Sequence, residues 1–198
     1  MCCDVAGGDP LLPAKGELDS MIAEGASLGQ VLEAIVMAME AASPGLIGSI
    51  LLIDSTGRRL LTGAAPSLPR LYNELIEGVE IGPGIGSCAH AAYVKKPILV
   101  YDVHDHPNWA PFLELARLAK IRACSSAPIL SVEGGRVLGT VAVYHAQPIA
   151  LGNRAIDLMF RAVSIVRYVI GCYTPETGPA AERQAIDTPP NPGENGPH

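Results

Sequence analysis

The chain has 198 residues, 48% apolar but only 5% aromatic, with a formal net charge of −6 and a pI of about 5.3. Those figures allow one domain with an aliphatic core and leave no basic footprint for DNA or RNA. No apolar run reaches the ~18 residues that span a bilayer, and the opening MCCDVAGGDP lacks the basic start of an export signal.

Residues 1–14 are rich in Gly and Pro and read as a flexible N-terminus. KGELDSMIAE (15–24) is a short helix broken at Gly25. Ser27 then caps a longer one in which Leu28, Val31, Leu32, Ile35 and Met39 form a single apolar stripe, ended by Pro44-Gly45. LIGSILLID (46–54) and RRLLTGAA (58–65) are strands of a hairpin around Asp54-Ser-Thr-Gly57. RLYNELIEG (70–78) is a short helix closed by Gly78.

Next comes GVEIGPGIGSCAHAAY (78–93). Gly82, Gly84 and Gly86 around Pro83 predict a sharp turn with left-handed backbone. Ser87 is a ready N-cap, and Cys88 and His90 fall in the first turn of the helix that follows. A thiol at a helix start beside an imidazole is a candidate nucleophile or redox switch, because the N-terminal dipole favours thiolate. The plainer reading of Cys88 and of Cys124 is a small buried hydrophobe.

ILVYDV (98–103) is a third strand; HDHPNW turns, with Pro107 set to open a helix, APFLELARLAK, apolar at Phe112, Leu115, Leu118 and Ala119. RACSSAPILS (122–131) is a fourth strand despite Pro128, and Glu133-Gly134-Gly135 turns it into RVLGTVAVYH (136–145). Asn153 caps a long last helix with a stripe of Ile156, Met159, Phe160, Val163 and Val166. Leu158, Ile165 and Val169 add a second apolar side, which calls for a second partner. Residues 173–198, with their many prolines and few large apolar side chains, read as a disordered tail, leaving 15–172 as the domain. Hairpins at both ends with helices between them predict an antiparallel-rich α+β fold. Five cysteines, an odd number, suggest reduced thiols and a cytoplasmic protein.

His90, His104 and His106 with Cys88 raise the question of a metal or haem, but no CxxC or HxxxH spacing supports one. His104 and His106 sit in the polar turn Asp102–Pro107, where Asp102 and Asp105 read as turn formers. The glycine loop fits neither GxGxxG nor GxxxxGK[ST], so nucleotide-fold readings fail.

The stretches PSLPRLYNELIEGVEIGPGIGSCAHAAY, PILVYDVHDHPNWAPFLELA, IRACSSAPILS and GRVLGTVAVYHAQP, in that order, resemble a GAF domain of the type found in bacterial sensor kinases and cyclic-dinucleotide signalling proteins. The resemblance covers about residues 27–170. It implies a GAF-like α+β fold: a central six-stranded antiparallel sheet, helices on both faces, and a pocket on one face roofed near Cys88 and Trp109. It also implies a homodimer through the helices at 28–42 and 154–172. Ala89-His90 stands where the pattern has Gly-Thr, and Ser125 where it has Trp. The expected ligand-binding residues are Cys88, His90, Tyr93, Tyr101, Trp109, Cys124 and Ser126, for a small molecule not yet identified. No cofactor, metal, nucleic acid or membrane is implied, and a kinase or cyclase is the expected signalling partner.

Two alternatives come with the same resemblance. One branch of the family, the free methionine-R-sulfoxide reductases, uses pocket cysteines, which makes Cys88 and Cys124 the catalytic candidates in a thiol oxidoreductase. The other is a dimerisation domain with a closed pocket. The bilin-attaching phytochromes carry adjacent Cys and His, whereas Ala89 separates them here.

Overall fold

Ser27 opens the second helix with a reciprocal cap: its Oγ accepts the Gln30 N–H at 3.3 Å while Gln30 Oε1 accepts the Ser27 N–H at 2.8 Å. In the computed structural model, which describes Pro13 and residues 15–133, 135–148 and 153–173, the elements run α1 (Lys15–Ala23), α2 (Leu28–Ala42), β1 (Ile47–Ile53), β2 (Arg59–Ala64), α3 (Arg70–Ile76), β3 (Val79–Glu80), α4 (Cys88–Val94), β4 (Ile98–Val100), a 3₁₀ turn (Pro107–Phe112), α5 (Leu113–Leu118), β5 (Ala123–Leu130), β6 (Val137–His145) and α6 (Asn153–Tyr173). The N-terminus, most of the tail and the cap by Asn153 lie outside the described residues. Tyr173, placed in the tail by its sequence, instead completes α6, and its hydroxyl donates to the Ala26 carbonyl.

The strands form one antiparallel sheet in the order β3-β2-β1-β6-β5-β4. Alternation assigns its faces. Ile50, Ala127, Ile129, Val141 and Val143 pack under α1, α2 and α6 in one aliphatic core. Leu51, Cys124, Ala142 and Tyr144 face α3, α4 and the segment from Trp109 to Ile121. α2 comes so close to β1 that a Cβ on Gly48 would stand 3.0 Å from Val36 Cγ1.

Several local expectations shift. The third predicted strand shortens to Ile98–Val100, because Asp102 turns the chain by accepting the His104 N–H and pairing with Arg122 (Nη2···Oδ2 2.6 Å). β3 is too short, at 2 residues, to leave a hydrophobic pattern in the sequence. Pro111 lacks the N–H a helix needs, so the helix expected over 110–120 divides into the 3₁₀ turn and α5. Pro128 pairs with Thr140 of β6, while β4 reaches only as far as Ser126, so β5 is an edge at that point and tolerates proline.

α6 is rotated from the predicted stripe. Ala155, Leu158, Met159, Ala162, Val166, Val169 and Ile170 are buried, whereas Phe160 is 44% exposed. The two alanines let the helix lie close to the sheet; a stripe drawn through the large side chains alone passes over them, although the exposed Arg154, Asp157, Arg161 and Arg167 mark the opposite, polar face. Val169, expected on a free side, is fully buried. Among the described residues no helix is long and apolar enough to cross a membrane.

Candidate functional site

The cavity lies between the sheet and the helices α3 and α4. Leu51, Cys124 and Tyr144 form its floor, Tyr72, Ile76 and Val79 a wall, and Ile85–Ala89 with Trp109 and Phe112 the roof. Its open volume is about 40 Å³. Aromatic rings take up much of the rest: Tyr72 meets Tyr144 edge-on at 6.5 Å, and Trp109 meets Phe112 at 6.4 Å.

The roof follows from local chain chemistry. Gly84 and Gly86 adopt φ of 72° and 53°, which lets the loop reverse and turn its N–H groups inward. Gly84 N–H donates to His90 Nδ1 (3.1 Å), and Gly86 N–H donates to the Asn108 carbonyl (2.9 Å). Trp109 Nε1–H donates to Ser87 Oγ (2.8 Å) in a buried contact. Ser87 holds the N-cap position of α4, but its side chain makes no capping hydrogen bond: its backbone is already helical, and its hydroxyl accepts from the indole instead. The His106 side chain accepts from the Asn108 N–H and caps the 3₁₀ turn that carries Trp109.

Behind the floor runs a buried polar seam. Ser49 Oγ and Tyr144 Oη are 3.0 Å apart, Cys88 Sγ is 3.2 Å from Ser126 Oγ, and Cys124 Sγ is 3.8 Å from the same oxygen. Burial raises the Cys88 thiol pKa, partly offset by the surrounding hydroxyls, and raises that of Cys124 strongly. Tyr72 and Tyr144 are likewise pushed well above the ordinary phenol value by burial. This burial agrees with the plainer reading of both thiols as small hydrophobes: α4 has only 7 residues, and desolvation outweighs its weak dipole.

Cys88, Trp109 and Cys124 line the cavity, and Ser126 sits directly beneath the two thiols. His90 is turned toward the glycine loop and is not part of the lining. Tyr93 and Tyr101, 55% and 57% exposed, stand outside it on the surface. His104 is exposed, and among the described residues no group of three or more His, Cys, Asp or Glu side chains could hold a metal. Sequence reasoning missed Tyr72, Tyr144, Phe112 and Ile76. For Tyr144 a signal existed: Val141 and Val143 alternate with Thr140, Ala142 and Tyr144, so the tyrosine had to face away from the aliphatic core.

The profile of the GAF domain family matches residues 25–166. The chain belongs to the GAF domain family. It is 34% identical over 136 residues to a methyl sulfide methyltransferase-associated sensor of Methanosarcina acetivorans. That match covers 69% of the chain but 14% of the relative, so the chain spans about one seventh of that protein's length. Among solved structures, the GAF domain of a phosphoenolpyruvate-protein phosphotransferase from Coxiella burnetii aligns at a TM-score of 0.63 and 16% identity, covering 86% of the chain and 94% of that structure. Free methionine-R-sulfoxide reductase from Neisseria meningitidis, solved with its substrate, aligns at 0.59 and 17% identity, covering 86% and 88%. These two likenesses show the shared GAF fold, including its six-stranded sheet with helices on both faces.

Proposed function

We propose that this GAF domain is a non-catalytic, cytoplasmic sensory module that binds a small molecule between its sheet and α4. The observation that carries this reading is a formed cavity whose two thiols, Cys88 and Cys124, are held neutral by burial. A relative that is itself a sensor supports the same class. Reductase chemistry of the kind performed by the Neisseria enzyme needs a thiolate to attack sulfur, and burial of both thiols disfavours it here.

In this proposal the output face is the opposite one. Phe160 on α6 and Met37 on α2, 44% and 51% exposed, are apolar side chains left outside the core, and they would meet their counterparts in a homodimer. Occupancy of the cavity would then shift the packing of α2 and α6 toward a kinase or cyclase partner, provided the ligand binds the two arrangements with different affinity. Glu40 is the mechanical link: from α2 its carboxylate accepts the Gly48 N–H (2.9 Å) and the Ser67 hydroxyl (2.6 Å), joining the start of β1 to the loop before α3.

Native mass spectrometry of the purified protein tests both halves. A dimer carrying a retained small molecule supports the reading. A monomer without adduct, unmoved by Phe160→Glu, removes the dimer. The second reading, a structural domain with a closed pocket, is favoured by the small volume of about 40 Å³. It predicts no thermal shift with any added compound.

A further inference from the structure

The lining of the cavity contains no Lys, Arg, Asp, Glu or His. Its polar atoms are hydroxyls, thiols and backbone groups, and these thiols and phenols stay protonated at physiological pH. An ion placed there would lose its hydration without gaining a counter-charge.

Size is limited by the same residues. The hydrogen bonds from Gly84 to His90, from Gly86 to Asn108 and from Trp109 to Ser87 hold the roof down, and a larger guest would have to break them. The open space of about 40 Å³ is well below the roughly 150 Å³ of an apolar cavity that takes benzene, so the guest is smaller than a six-membered ring.

We propose that the ligand of this pocket is an uncharged molecule smaller than benzene, and not a nucleotide, a phosphate or any other ion. This inference rests on the sensory reading above, which it narrows to a chemical class.

Trp109 is the single tryptophan of the chain and lies in the roof, so its fluorescence reports the cavity directly. The test titrates the full chain with isopropanol and acetamide as neutral probes and with acetate and acetamidinium as near-isosteric ions, at constant ionic strength, with free N-acetyltryptophanamide as control. The expected result is saturable change with the neutral probes and binding of the ions weaker by at least about 100-fold. Ions that saturate at similar concentrations overturn the neutral class while leaving a ligand-binding pocket in place. A nucleotide or other large molecule that saturates the signal overturns the size limit in the same way. If none of the probes, and no member of a broad compound set, moves either the emission or the melting temperature, the sensory reading itself falls and this inference with it. Cys88→Met adds bulk to the cavity with a flexible side chain and should abolish the neutral response; a full response from a folded Cys88→Met protein places the probe elsewhere and overturns the proposal. Should that variant not fold, methyl chemical shifts of Leu51, Ile76 and Val79 in the native chain locate the probe, and unshifted methyls count against it.

Discussion

The hydrogen bond between Ser49 and Tyr144 offers the sharpest test of how the pocket floor is held. The two hydroxyls are 3.0 Å apart on adjacent strands, and both residues are buried, at 0% and 2% exposure. Tyr144→Phe leaves the Ser49 hydroxyl without its partner in a water-free site and should cost about 1–3 kcal/mol. Ser49→Ala should cost less, about 1 kcal/mol, because the Tyr144 hydroxyl keeps a weak neighbour in Cys88 Sγ at 4.0 Å. The double variant removes both polar atoms of the pair, so neither is left without the other, and its total should fall well below the sum of the two. For a domain of this size each kcal/mol moves the melting temperature by about 2–4 °C. Urea denaturation followed by circular dichroism, with equal slopes across the variants, gives the four free energies. Additivity of the single variants within about 0.3 kcal/mol would refute the reasoning, since it would mean that each hydroxyl already finds water when its partner is gone.

Four further outcomes follow from particular contacts. The Asp54 carboxylate is held down to about 2, first by the Thr56 hydroxyl and then by backbone N–H groups of the β1–β2 turn. Its folded pKa lies below the unfolded value, so its stabilisation is present above about pH 4 and is lost as pH falls from about 4 to 2; the stability gap between the native chain and Asp54→Asn should close over that interval, and a gap constant with pH contradicts the assignment. Gly139→Ala would put a Cβ 2.1 Å from the Leu51 carbonyl oxygen in the middle of the sheet, so a loss of more than about 3 kcal/mol or failure to fold is expected. Gly171→Ala, with open space around it in α6, should stabilise by about 0.5–1 kcal/mol in the same melts. Finally, maleimide at pH 7.5 should modify the exposed Cys172 and spare Cys88 and Cys124 in the folded protein, read by peptide mapping; Cys88 reacting as fast as Cys172 would reopen the oxidoreductase reading.

The amino-acid sequence by itself settled the elements whose signals are local. The Ser27 cap, the stripe of α2, the Asp54–Gly57 turn and the glycine bend depend on neighbours a few positions away, and each stands where the pattern puts it, the bend with left-handed backbone at Gly84 and Gly86 but not at Gly82. Family membership was legible because several such segments occur in a fixed order. Tertiary structure decided what depends on distant partners. Ser87 could have capped α4, but the Trp109 indole took its hydroxyl from 22 positions away. Cys88 carried the local signature of a reactive thiol, yet burial against the sheet desolvates it and keeps it protonated. His90, beside it in sequence, turns away to hold Gly84, while Tyr72 and Tyr144, remote from each other in the chain, meet at the cavity. Charge state, burial and hydrogen-bond competition are set by whatever the fold brings within a few ångströms, and a linear pattern does not contain that information.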